Sequence, residues 1–158
     1  MAKIKKENMN KITKKKYDEL VEQLKELNLK FSEIVKRIGE AKQQGDLSEN
    51  ADYSAAREEQ GFINSEIERV NAIIESADII SENDESEDSN FNKDITIEIN
   101  GIVQTYKLLG THEADPNNYI ISTSSPIGAF LETAKVGDEN YITTLTKKQV
   151  LVKVLDIK

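Results

Sequence analysis

Residues 13 to 41 read TKKKYDELVEQLKELNLKFSEIVKRIGEA. Their apolar positions are Tyr17, Leu20, Val21, Leu24, Leu27, Phe31, Ile34, Val35, Ile38 and Ala41, separated mostly by threes and fours. That spacing lays one stripe along a helix. Thr13 is placed to cap it, because its hydroxyl can accept from an early backbone N–H. The pattern pauses at Gln44-Gly45-Asp46-Leu47-Ser48 and resumes through Ala55, Ala56, Ile63, Ile67, Val70, Ile73, Ile74, Ala77 and Ile80. No proline interrupts before Pro116. Two long amphipathic helices with a short break predict an antiparallel hairpin over residues 13 to 80, with its tip at 44 to 50. At ~1.5 Å per residue each helix is roughly 45 Å long. So narrow a seam does not wrap such helices into a globule, so the hairpin is expected to project.

The period changes further along. Residues 81 to 90 form an acidic polar run with no apolar residue to bury, and 81 to 94 are read as a linker. Ile95-Thr-Ile-Glu-Ile99 alternates and precedes Asn100-Gly101, a type I′ hairpin signal. Ile102 to Leu109 and Tyr119 to Ser122 read as strands. Ser125-Pro126 predicts a cap with proline at the first helical position, opening a short helix through about Thr133. After a turn at Lys135 to Asp138, residues 140 to 145 and 149 to 157 predict a second hairpin. Residues 95 to 158 therefore form a small α+β domain with a mostly antiparallel sheet.

Composition narrows the chemistry. Of 158 residues 32% are charged and 37% hydrophobic, which favours an elongated helical element over one large core. The net charge is −8, a poor balance for general nucleic-acid binding. The first 16 residues run the other way, with seven lysines against Glu7; residues 1 to 12 are read as a basic, solvated tail. Without cysteine there is no disulfide, thiolate metal site or cysteine nucleophile. His112 alone cannot make a multi-histidine site, and it reads as an exposed loop residue. No phosphate-binding loop or dinucleotide fingerprint is present. No apolar run approaches the ~18 residues of a membrane span, so a cytoplasmic protein without membrane association is expected.

The unusual segment is Gly45-Asp-Leu-Ser-Glu-Asn-Ala-Asp-Tyr53. Gly45 can end a helix in the left-handed region. Asp46 or Ser48 can cap the next helix, with Glu49 in its first turn. A well-capped loop accounts for much of this pattern. The functional reading is that Asp46 and Glu49 present two carboxylates at the tip. Two oxygen ligands can share a hard cation such as Mg²⁺ but cannot enclose it, so a partner must complete the site.

These residues, continued by Ser-Ala-Ala-Arg-Glu-Glu-Gln-Gly-Phe62, closely resemble the signature of the bacterial transcript-cleavage (Gre) elongation factor family, GreA type. Ser124-Ser-Pro-Ile-Gly128 and Lys135-Val-Gly-Asp138 are similar to its FKBP-like C-terminal domain. The resemblance implies an N-terminal coiled-coil hairpin followed by that domain, and a factor that is not itself an enzyme. It implies insertion of the tip into the secondary channel of bacterial RNA polymerase, onto the 3′ end of backtracked nascent RNA. Asp46 and Glu49 would then help hold a Mg²⁺ of the polymerase active centre, with Ser48 positioning water, and the chain alone would bind no cofactor. Lys42 and Arg57, one on each arm, match RNA-contacting positions. Tyr53 either lies along the RNA path or packs between the helices. Ser125, Pro126 and Ile127 match the surface that grips the coiled coil at the channel rim.

The free protein is expected to be monomeric. Two other readings stand beside the first: a secondary-channel inhibitor, against which the intact acidic tip argues, and a folding helper using the second domain as an isomerase. Lys30-Phe31 stands where many members carry Arg-Pro, which puts the local bend of the hairpin in question. With only Phe91, Tyr106, Tyr119, Phe130 and Tyr141 scattered through the second domain, no aromatic isomerase pocket is evident.

Overall fold

The computed structural model describes residues 10–45, 50–81 and 88–158. The chain divides into two compact units. Among the described residues, one holds 17–45 and 50–77, and the other joins 10–16 to 78–81 and 88–158. The fold is α+β, with long N-terminal helices preceding a mostly antiparallel sheet.

In the first unit α1 (Lys14–Gln43) and α2 (Ala51–Glu75) are the two expected helices. Thr13 caps α1, its Oγ1 accepting from the Lys16 N–H at 3.2 Å. The buried residues of α1 are Leu20, Leu27, Ile34, Ile38 and Ala41, and those of α2 are Ala56, Ile63, Val70 and Ile73. Steps of seven dominate both sets, the spacing of a coiled-coil seam. The Arg37 guanidinium meets the Glu59 carboxylate at 2.9 Å across the two helices, and Asn50 Nδ2 donates to the Ala41 carbonyl at 3.0 Å. Both contacts require antiparallel arms. Helix α1 runs unbroken through Phe31, which is half-buried.

The second stripe ends sooner than its periodicity predicts. The Ser76 N–H turns back onto the Ala72 and Ile74 carbonyls and closes α2. Ala77–Ile80 is strand β2, paired with β1 (Asn10–Thr13). Apolar spacing alone does not separate a last helical turn from a short strand, and here a pairing partner far away in sequence decides. The basic tail is corrected likewise. Residues 10 to 12 belong to β1, with Ile12 fully buried, Lys11 paired with Glu132, and Thr13 held through its N–H and hydroxyl by the Glu113 carboxylate.

The larger sheet contains β3 (Asp94–Ile99), β4 (Ile102–Leu109), β5 (Ile120–Ser122), β6 (Glu139–Thr143) and β7 (Gln149–Ile157), in the order β5-β4-β3-β7-β6. Asn100 and Gly101 both have positive φ, 53° and 79°, as a type I′ turn requires. Only the β4–β5 pair is parallel among these strands. One face of the sheet buries Ile95, Ile97, Leu108, Ile142, Val152 and Val154 against Leu131 and Ala134. Leu131 ends α3 (Pro126–Leu131).

One expectation changes at the linker. Residues 82–87 lie outside the described residues, but its end is structural. Phe91 is buried, and so is Asn90, whose Nδ2 donates to the Leu131 and Ala134 carbonyls at 2.7 Å each. A polar run read from composition can still contain a residue whose hydrogen bonds compensate its burial.

Candidate functional sites at the hairpin tip and beside the third helix

Asp46, Ser48 and Glu49 lie outside the described residues; Gly45 before them and Asn50 after them are described. The Gln44 N–H donates to the Ala41 carbonyl at 3.2 Å, and Gly45 follows at φ 114°, a left-handed position suited to glycine. The cap of α2 is Asn50, not Asp46 or Ser48. Its Oδ1 accepts from the Tyr53 N–H at 3.1 Å, while its Nδ2 donates to Ala41. Asparagine wins because its amide carries donor and acceptor together, and an orphan group at each helix end needs one of them.

Lys42 is exposed in the last turn of α1. Arg57 is exposed on α2 and donates along its own helix to the Gln60 side chain at 2.9 Å. Tyr53 is half-buried. Among the described residues no group of three or more His, Cys, Asp or Glu side chains could hold a metal ion. On α2, about four turns beyond Asn50, Glu66 and Arg69 form an exposed pair at 3.0 Å. The Arg69 hydrogen bond holds the Glu66 carboxyl below its ordinary pKa, and the Glu66 hydrogen bond raises Arg69.

The second place is a groove of about 500 Å³ beside α3. Ser125 caps α3, its Oγ accepting from the Gly128 N–H at 3.0 Å and donating to the Ser122 carbonyl at 2.7 Å. A Cβ on Gly128 would overlap that carbonyl oxygen, so glycine permits α3 to lie this close to β5. Ser125, Pro126 and Ile127 line the groove together with Tyr106, Tyr119 and Leu145. The rings of Tyr106 and Tyr119 meet edge to face, with centroids 5.9 Å apart. Tyr119 has φ 57°, uncommon for a bulky side chain, at the end of a 3-10 turn spanning Pro116–Asn118. Leu145 is 88% exposed on the β6–β7 loop.

Ser125 and Pro126 take the cap and first helical position that the sequence predicts, but the groove they line with Ile127 is not legible there. Its aromatics looked scattered; parallel pairing of Lys107 with Ile120 brings the neighbouring Tyr106 and Tyr119 together. A tyrosine just after Pro-Asn-Asn was the available signal. His112 is half-buried in the turn after β4 and is not among the groove-lining residues.

Two long antiparallel helices with a capped second helix, and a sheet unit with an apolar groove, define a two-unit α+β protein. The chain belongs to the GreA/GreB transcription elongation factor family: the family's N-terminal model matches residues 10–79 and its C-terminal model residues 86–158. Transcription elongation factor GreA of Geobacillus kaustophilus is 40% identical, with the match covering 100% of both chains. GreA of Acholeplasma laidlawii is also 40% identical, over 90% of this chain and 92% of its own. Among solved structures, the GreA factor homolog 1 protein of Thermus thermophilus matches with a TM-score of 0.45 and 24% identity, over 95% of this chain and 99% of that one. No helix among the described residues is long and apolar enough to cross a membrane.

Proposed function

We propose that this elongation factor stimulates the RNA cleavage activity of RNA polymerase by presenting its tip carboxylates inside the polymerase secondary channel. The observation that carries the reading is the position of Asp46, Ser48 and Glu49. They fall between the last residue of α1, Gln43, and the first of α2, Ala51, in a chain matched by elongation-factor models along both parts. A narrow two-helix element suits a channel that a globular domain cannot enter. Asp46 and Glu49 supply two oxygen ligands, fewer than a hard cation needs, so the polymerase supplies the others. When bound, Mg²⁺ of the polymerase active centre supplies charge neutralisation and an activated water for phosphodiester hydrolysis. Ser48 offers a hydroxyl to orient that water. Lys42 and Arg57, exposed on opposite arms, offer positive charge to the extruded RNA 3′ end. Tyr53, half-buried beside the α2 cap, contributes packing at the tip. Ser125, Pro126 and Ile127 hold the polymerase from the second unit, where the apolar groove gives a rim element a surface to bury.

The test is cleavage in a stalled, backtracked polymerase complex with Mg²⁺. Short 3′ RNA fragments are expected with wild type. Asp46→Ala and Glu49→Ala should each lower the rate by about 100-fold or more while retaining polymerase binding, the scale on which a group acting at the reacting centre counts. Parallel loss of binding would assign the tip a structural role. No fragments with wild type, together with slower elongation, would replace stimulation by inhibition. Pro126→Ala should weaken binding and leave the saturated rate unchanged; equal affinity would move the docking surface elsewhere.

A further inference from the structure

The Asn50 amide makes two hydrogen bonds that do different things. Its Oδ1 accepts from the Tyr53 N–H at 3.1 Å and caps α2. Its Nδ2 donates to the Ala41 carbonyl at 3.0 Å, nine residues back and on the other arm. Capping alone does not call for asparagine, because aspartate and serine cap a helix about as well. Only the second bond needs a donor. It ties the start of α2 to the last turn of α1 below the loop, at a level where Ala41 and Ala56 are both buried and the arms pack closely. The Ala41 carbonyl also takes the Gln44 N–H at 3.2 Å, so one oxygen anchors the chain as it leaves α1 and again as it enters α2. A loop whose two ends share an anchor has far fewer end separations to sample than one joined only through the seam.

We infer that Asn50 is the positioning residue of the tip: its bond across the hairpin sets the separation of the loop ends and thereby presents the acidic residues between them. Asn50 itself touches no reacting atom. The inference rests on the proposed cleavage function and adds a determinant of cleavage rate separate from those of binding. A small displacement of a catalytic group is costly: about 1 Å can cost on the order of 100-fold in rate.

Asn50→Asp separates the two bonds. Aspartate keeps the acceptor for Tyr53 and loses the donor to Ala41, setting a carboxylate against that carbonyl. Full-length wild type, Asn50→Asp and Asn50→Ala are titrated into a backtracked polymerase complex with Mg²⁺, and hydrogen exchange of the Tyr53 amide is followed in the free proteins. For Asn50→Asp the Tyr53 amide should stay protected and the half-saturating concentration should stay within about two-fold of wild type, while the saturated cleavage rate falls about ten-fold or more. Asn50→Ala should lose both the protection and the rate. If Asn50→Asp loses Tyr53 protection, Asn50→Ser replaces it with the same expectation, its hydroxyl being too short to serve both helix ends. A cap-retaining variant that cleaves at the wild-type saturated rate, or whose defect lies wholly in the half-saturating concentration, overturns the inference and leaves the proposed function standing. Absence of cleavage with wild type overturns both.

Discussion

Asn90 shows how much one buried side chain can hold. It lies in a stretch that reads as solvated linker, yet its amide satisfies two carbonyls at the end of α3 and its backbone N–H donates to the Glu132 carbonyl at 2.8 Å. Asn90→Asp keeps the shape, removes both side-chain donors, and faces a carboxylate with two carbonyl oxygens. The expected loss is about 1–3 kcal/mol of stability, read as an earlier urea midpoint followed by the tyrosine signal of the sheet unit. An unchanged midpoint would mean that water takes over those carbonyls at little cost. The same scale explains what was and was not legible at the tip. Motif and spacing single out Asp46, Ser48, Glu49, Lys42 and Arg57 as candidates, of which the described residues include Lys42 and Arg57, both exposed. Asn50 was passed over as a cap because aspartate and serine beside it compete equally on propensity, and only the position of the Ala41 carbonyl breaks the tie.

At the scale of elements the heptad seam governs the hairpin. Leu20, Leu27, Ile34 and Ala41 on α1 answer Ala56, Ile63 and Val70 on α2, and these positions are buried while their immediate neighbours are not. Ile34 is 3% exposed and Val35 is 47% exposed, so adjacent β-branched residues should respond differently. Ile34→Ala should cost about 2–5 kcal/mol, because the lost methyl groups leave a cavity in the seam. Val35→Ala should stay within about 0.5 kcal/mol. Thermal unfolding followed by helical circular dichroism compares them; equal effects would mean that the seam is not where the burial places it. Helix and strand identities were largely visible beforehand, since long 3.6-residue periods, Asn-Gly and Ser-Pro are local signals. The end of α2 was not. Ala77 to Ile80 continue an apolar pattern compatible with either state, and pairing with β1 selects the strand.

Across the whole molecule, the second unit is discontinuous in sequence. Its described residues include β1 as well as those from 78 onward, so an N-terminal segment is part of a unit otherwise built from the C-terminal half. Ile12 is fully buried, Lys11 pairs with Glu132, Glu113 holds Thr13, and a Cβ on Gly110 would overlap the Lys11 carbonyl oxygen. Removing residues 1 to 13 should lower the unfolding midpoint by about 4–8 °C or more below that of a chain lacking residues 1 to 9, the shift produced by each ~1 kcal/mol in a small domain. Equal midpoints for the two truncations would show that β1 adds no stability. Composition puts a change of character at residue 81, whereas the two units divide between Ala77 and Asp78. It did not show that chain from before the hairpin returns to complete the later unit.

What the sequence by itself determined was everything carried by local periodicity and turn chemistry: two amphipathic helices, the Asn100-Gly101 hairpin, the proline-led third helix and the acidic tip segment. Side-chain spacing and backbone preference act over a few residues and need no tertiary partner to be read. What only the tertiary structure decided were the contacts between residues remote in sequence: β1 against β2, Asn90 against α3, Tyr106 against Tyr119 at the groove, and Asn50 against Ala41. Each depends on a hydrogen-bonding group or apolar surface whose partner is supplied by chain closure, and the strength of such a contact is set by distance in space, to which sequence spacing gives no measure.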